Sequence, residues 1–471
     1  MPMHKLAPAV LDQLAGAFDG EIVRPGDPAY DDARSVWNGM IDRRPEVIAR
    51  CARTSDVVAA VGFARDSGLP VAVRGGGHSA PGYGTCDGGI VIDLSPMKEI
   101  VVDPDLRTAR AGAGLTWGEF DAATQEHGLA VTGGRFSTTG IAGLTLGSGS
   151  GWLERKCGLT ADSLLSAEVV LADGRVVTAS AEENADLFWA LRGGSGNFGI
   201  VTSFEFGLHR VGPLIYGGML LATPDRADAI LRCMRDLMPG APDDLGAVVA
   251  FISAPPAPFV PEEARGKPVV GIVVCWTGDH EEGERVVAPL REAAQPVADL
   301  VGPMPYTALQ SMLDESGPKG TRAYMKAEFL DELGDEVIET LMRRGRDLPG
   351  PLTQILLEPM GGAISRVGDD ETALGRRDAA WCYHALAMWM DPSPEAEEAH
   401  VAWARGLAEE LEPHTTPGVY LNFTSDQGTE RVRSSYGAER YERLVALKDR
   451  YDPANLFALN QNIPPSTPAR E

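Results

Sequence analysis

The chain has 471 residues, 44% of them hydrophobic, with a mean hydropathy of −0.11, so it holds more core material than one ordinary domain needs and two domains are expected. Asp and Glu outnumber Lys and Arg by 67 to 42, and the resulting formal charge of −25 repels phosphate backbones and anionic lipid, which argues against nucleic-acid and membrane partners. No apolar run reaches the roughly eighteen residues of a membrane span, the N-terminus lacks the form of a secretory leader, and Cys51, Cys86, Cys157, Cys233, Cys275 and Cys382 show no CxxC or zinc spacing, so a cytoplasmic protein with reduced thiols and no metal is expected.

An amphipathic helix pattern around Leu11 to Phe18 gives way to a polar approach to Trp37 and Asn38. A short strand follows at Val47 to Cys51. Thr54, Ser55 and Asp56 are N-cap candidates for a helix that ends at Gly68. The strand Val71 to Val73 then runs into Arg74, Gly75, Gly76, Gly77, His78 and Ser79. Three successive glycines let their amide N–H groups turn toward one concavity, the arrangement that holds a phosphate or pyrophosphate. Arg74 and Ser79 are further donors. His78 is carried to whatever the phosphates anchor, although taken alone it reads equally as a solvated loop histidine.

A second glycine-rich stretch, GGRFSTTGIAGLTLGSGSGW, runs from Gly133 to Trp152. Ile141, Leu144 and Leu146 interleave with its glycines, a packing pattern that a flexible linker has no use for. AEVVLADGRVVTAS reads as a hairpin turning at Asp173 and Gly174. A third glycine stretch, LRGGSGNFGI, leads into a strand from Ile200 to Leu208, and a boundary falls near Val211. From about 212 to 418, proline increases and longer alternating strands appear between helical stretches at Ala227 to Met238, Gly283 to Ala294 and Asp331 to Arg346. That pattern describes an antiparallel sheet backed by helices. Tyr324, Lys326, Glu358, Tyr383 and His384 are candidate inward-facing groups, with His384 in an apolar strand read as a core histidine. The last segment carries GVYLNFTSD, read as a strand, and YDPANLFALNQNIPP.

RGGGHS at 74–79, the TTGIAG segment and YDPANLFALNQNIPP together resemble the FAD-linked oxidases of the vanillyl-alcohol oxidase superfamily, in its berberine-bridge-enzyme-like branch, over most of the chain. The resemblance implies an α+β, PCMH-type two-domain fold. Residues 1–211 and 419–471 would form the FAD domain and 212–418 the substrate domain. It implies FAD bonded through its 8α-methyl carbon to His78, with Thr138, Thr139, Gly140, Gly143 and Gly147 along the pyrophosphate and flavin edge. Gly193, Gly194, Gly196, Asn197, Gly199 and Ile200 would serve the adenine end and pyrophosphate, and Asn460 and Asn462 would lie near the flavin. Members with a second tether carry a cysteine just before T-x-G-x-x-G. Phe136 stands there in this chain, so a single bond is expected and Cys157 is read as structural.

Enzymes of this kind remove a hydride from a C–H beside O or N while a base takes the proton. The implied reaction is an oxidase reaction on a small-molecule substrate, with O2 giving H2O2. Oxygenation of a polyketide-like substrate is the alternative, and a flavin-carrying protein without turnover is the third. The second tyrosine of the family's Y-x-N-Y serves several members as the base, and here it is Phe423. The remaining candidates are Tyr420, Asn422, Glu358 and Tyr383. Tyr420 is preferred as a phenol on the same strand, although alternation places it on the face opposite Phe423. Glu358, if partly buried, would have a raised pKa.

Overall fold

Strands before Gly207 are short and broken by glycine-rich turns, whereas those after Leu214 run to nine residues, and two kinds of sheet result. In the computed structural model, which describes residues 8–16, 18–425 and 428–467, Val47–Arg50, Ile90–Asp93 and Val71–Arg74 lie parallel, with Glu21–Val23 antiparallel at the edge. Ile90–Asp93 is buried along its whole length, as a central parallel strand requires. The helix Thr54–Ser67 connects two of these strands. Asp56 caps its first turn, accepting from Ala52 N at 2.8 Å, and Gly68 ends it in a left-handed conformation. The strand Val71–Arg74 delivers the triple-glycine loop directly from this sheet.

A second, antiparallel sheet has the order Ile100–Asp103, Thr108–Gly112, Ile200–Gly207, Leu164–Val170, Val176–Ser180. Both sheets share one core, where Val47, Ile90, Phe120 and Phe204 pack with Leu444 and Tyr451 of the C-terminal helix Ala438–Tyr451. The chain end therefore folds back onto its beginning.

The third sheet has nine strands, drawn from Leu214 to Val419 and paired antiparallel throughout. Strand alternation gives it two faces. Val249, Ile272, Leu357, Tyr383 and Ala385 pack under helices that include Ala227–Leu237, His280–Ala294, Asp335–Arg346 and Pro394–Leu411. Val248, Val273, Met325, Leu356 and Leu386 face the other way, into a cluster with Trp37 and Trp152 of the first half. The expectation that Tyr324 and Lys326 point inward is off by one residue. Met325 is the inward residue, while Tyr324 lies against the helix layer with Arg405 over its ring. Among the described residues no helix is long and apolar enough to cross a membrane, and the leader question concerns a segment whose residues 1–7 lie outside the described ones.

Candidate active site

The three glycine stretches converge on one cleft, whose open volume is about 1280 Å³. Gly75, Gly76, Gly77, His78 and Ser79 form one wall, Thr139, Gly140 and Gly143 a second, and Gly196, Gly199 and Ile200 a third, with Asn422 and Asn460 closing it from the C-terminal segment. A Cβ on Gly76 would collide with the backbone of Gly140, so the first two stretches touch main chain to main chain. Only glycine permits that approach, and Gly77, at φ +70°, supplies the turn that follows.

His78 projects from this loop, half-buried. Its Nε2 lies 3.0 Å from Thr138 Oγ1, and the Trp37 indole stacks on it with centroids 5.4 Å apart and planes at 18°. Burial pulls the imidazole down to about 4, so it is uncharged at neutral pH and keeps a nucleophilic lone pair. Trp37 Nε1 donates to Gly317 O at 2.7 Å, and Asn38 Nδ2 donates to Ala80 O and Ala323 O. These bonds clamp the histidine's surroundings to the large sheet. The Phe136 ring abuts Gly317 beside Trp37. Cys157 is buried in the interior next to Trp152, away from the cleft lining, and burial pushes its thiol up to about 12.

Some expected ligands take different places. Arg74 spends its charge on Asp93, donating from Nη2 at 2.7 Å and Nε at 3.3 Å, and only Nη1 lacks a partner. Anion binding at this loop therefore rests on backbone N–H groups more than on Arg74. Ser79 Oγ accepts from Tyr83 N at 3.3 Å. Gly147 does not line the cleft. It makes room for Asn422, whose Nδ2 donates to Leu144 O at 3.0 Å. Asn460 lines the cleft and donates to Gly196 O, whereas Asn462 sits outside the lining. Asn197 is buried behind it and accepts from Ile463 N, which joins the terminal segment to the third glycine stretch.

Beyond the cleft, the inward face of the large sheet carries a buried charged cluster. The Arg135 guanidinium pairs with Glu358, lies 3.5 Å from Glu154 and donates to Ser150 Oγ at 2.9 Å. His384 Nε2 is 2.7 Å from Glu358 Oε1, and its Nδ1 has no partner. Glu358 was expected to have a raised pKa. Burial does push it up, but the Arg135 charge and the hydrogen bonds from His384 and Ser150 outweigh burial and hold it below the usual carboxylate range. Glu154, buried and facing the Glu358 charge, is pushed up to about 7 despite Arg135. Glu358, Cys382 and His384 also bring three ligand-type atoms within 4.8 Å. Arg135 on Glu358 and the burial that drives the Cys382 thiol well up both disfavour a cation there.

The base candidates separate on this geometry. Tyr383 faces the helix layer and donates to Glu328 at 2.9 Å, so it points away from the cleft. The strand ends at Val419 and a 3₁₀ turn covers Leu421–Phe423, so the alternation argument against Tyr420 fails. Its ring stacks on Phe423 at 5.7 Å. Burial pushes the Tyr420 phenol up, however, and it stays protonated. The Phe423 ring instead meets His384 edge-on, with centroids 4.7 Å apart. Trp37, Arg135 and His384 are the site residues that pattern reading undervalued. An arginine inside a glycine-rich run and an isolated Trp-Asn pair were the available signals.

A cleft of this kind, built from glycine backbone beside a histidine, suits a dinucleotide cofactor, and the chain's likeness to known proteins makes that cofactor FAD. Residues 45–180 match the FAD binding domain model and residues 419–464 the berberine and berberine-like model. An FAD-linked oxidoreductase of Bacillus subtilis (strain 168) is 32% identical over 455 residues, covering 95% of this chain and 97% of that protein. The (R)-6-hydroxynicotine oxidase of Paenarthrobacter nicotinovorans is 32% identical over 463 residues, again 95% and 97%. The crystal structure of 6-hydroxy-D-nicotine oxidase from Arthrobacter nicotinovorans superposes with a TM-score of 0.85 at 30% identity, covering 98% and 99% of the two chains. The chain belongs to the berberine-bridge-enzyme-like family of FAD-linked oxidoreductases.

The residues present fit FAD. Backbone amides at Gly75–Gly77 and Gly140 offer donors where a pyrophosphate needs them, side chains are missing where a ligand must approach closely, and Arg74 Nη1 and Asn460 Oδ1 beside the cleft have no protein partner.

Proposed function

We propose that this chain is an oxidase holding FAD by one covalent bond from a His78 ring nitrogen to the flavin's 8α-methyl carbon, with residues 1–211 and 419–471 seating the cofactor and 212–418 covering it. The observation that carries the reading is His78 itself, uncharged, stacked on Trp37 and mounted on the glycine wall of the cleft. Such a bond would hold the cofactor at His78 and would take one hydrogen from the methyl group and one from the imidazole, both accounted for by two-electron reduction of O2 to H2O2. A phenyl ring cannot form a thioether, so Phe136 leaves His78 as the sole tether.

When bound, the flavin supplies a two-electron acceptor that O2 can reoxidise. The reaction assigned here takes a hydride from a C–H beside O or N, and a proton from that O–H or N–H, so that both hydrogens finish in H2O2. The chain's part is to exclude water and receive the proton. Trp37, Trp152, Met325, Leu356 and Leu386 pack into the buried apolar layer on the inward face of the large sheet, and a relative whose name gives a hydroxynicotine as its substrate supports a small organic substrate. We assign the proton to His384. With Nε2–H donated to Glu358, the lone pair lies on the unpartnered Nδ1, and Glu358, kept ionised by Arg135, stabilises the imidazolium that results. The test is anaerobic addition of a panel of small amines and alcohols. A substrate bleaches the flavin, and readmitting O2 restores the colour with one H2O2 per turnover. Isotope from labelled O2 appearing in the product would replace this reading with oxygenation.

A further inference from the structure

The buried cluster on the large sheet holds one more acid than the assigned reaction uses. Glu358 and His384 have roles there, whereas Glu154 has none. One guanidinium nitrogen, Arg135 Nη2, serves both carboxylates, pairing with Glu358 and lying 3.5 Å from Glu154 Oε1. Ser150 Oγ stands between them, accepting from Arg135 Nη1 at 2.9 Å, 3.4 Å from Glu358 Oε1 and hydrogen-bonded to Glu154 as well. Glu154 Oε2 accepts from Gly151 N at 3.0 Å. Of the other groups facing Glu154, burial keeps the Tyr420 phenol and the Cys382 thiol protonated. Arg155 gives its N–H groups to the carbonyls of Met238, Ala241, Leu245 and Met360 and has Asp243 as its first countercharge.

Charges this deep must nearly cancel. Arg135 is always charged, so two ionised carboxylates would leave the cluster one negative, and it balances with a single proton on Glu154, Glu358 or His384. The geometry selects among them. Arg135 and two hydrogen bonds hold Glu358 ionised. An imidazolium at His384 would bury an Nδ1–H that has no acceptor until a substrate supplies one. The proton is left to Glu154, whose carboxyl is pushed up to about 7 by burial and by the Glu358 charge. Glu154 also borders a narrow void beside Gly151, Trp152 and Val248, with room for about one water, which neither Glu358 nor His384 lines.

We propose that Glu154 carries the resting proton of this cluster and exchanges it with solvent in each turnover, so that the buried group stays neutral while His384 holds the proton taken from the substrate. The inference rests on His384 as the proton acceptor. As the substrate O–H or N–H breaks and Nδ1–H forms, the Glu154 O–H breaks and its proton leaves to water. As H2O2 forms, Nδ1 returns its proton and Glu154 takes one back from water. No electron moves within the cluster. Glu154 is therefore a positioning residue, which acts on the reaction through the charge that His384 can accept.

Infrared spectra of the flavin-loaded protein at about pH 6, taken as differences against the matching Glu154→Gln variant, isolate the C=O stretch of a protonated Glu154 from that of other buried acids such as Asp121. The band is expected in the parent and in His384→Gln, and is expected to vanish in His384→Lys, where an ammonium supplies the charge that balances the cluster. The second measurement is anaerobic flavin reduction by the small amine or alcohol that bleaches the flavin fastest. Its rate should rise about tenfold between about pH 5.5 and 8.5 in the parent, and Glu154→Gln should lack that rise, a change that a merely structural role would not produce. Absence of the band from the parent, its survival in a folded His384→Lys protein, or the same pH profile in parent and Glu154→Gln overturns the proposal. Should His384→Gln reduce its flavin at the parent's rate with the Glu154 band in place, the base assignment fails and the exchange step with it, while the resting proton stands.

Discussion

The cofactor cleft and the charged cluster on the large sheet solve opposite problems. The cleft works by omission. At Gly76 and Gly140 there are no side chains, so main-chain donors can meet a ligand, and no charge is buried apart from the Arg74–Asp93 pair. The cluster works by compensation, with Arg135, Glu154, Glu358 and His384 placed in the interior and held by one another. Deleting one side chain in the cluster leaves the others unpaired, whereas adding one in the cleft blocks the ligand.

Substitutions probe this contrast in order of expected effect. His78→Ala should abolish covalent flavin completely, so that all yellow colour leaves the acid-precipitated protein, while the fold measured by circular dichroism is unchanged. His384→Gln should slow anaerobic flavin reduction by about 10²–10⁴-fold, the range for a lost general base, with flavin content unaffected. Arg135→Met strands two buried carboxyls and should cost about 3–5 kcal/mol in urea unfolding. Glu154→Gln tests the cluster's proton. Glu154 has its pKa raised to about 7 in the fold, so the fold binds its proton more tightly than the unfolded chain does. The stability it gives is full below the unfolded carboxyl pKa and is lost as pH rises through about 7. The parent should therefore lose on the order of 1–3 kcal/mol relative to Glu154→Gln between pH 4.5 and 7.5. Cys157→Ser should change flavin retention not at all.

The same contrast explains what was legible in the sequence. Glycine at 75–77, 140, 143, 196 and 199 is demanded by backbone geometry, so it is visible locally, and the cleft could be read from three short stretches. The cluster depends on strand parity and on partners distant in sequence. Tyr324 and Tyr383 drew attention as chemistry-bearing residues, yet parity turns both toward the helices and brings in Met325 and His384. In the sequence Tyr420 and Phe423 look opposed because the pattern reads as a strand where the chain in fact turns. The pKa of Glu358 could not be read without knowing that Arg135, in a glycine stretch far away, reaches it.

Peptide mapping of the flavin tests the central claim most directly. The protein is denatured in acid and digested, and the fluorescent flavin-bearing peptide is sequenced by mass spectrometry. The account predicts one flavin adduct, on the peptide containing His78 and localised to that residue. Free FAD in the supernatant, or an adduct on the peptide containing Cys157, would contradict it.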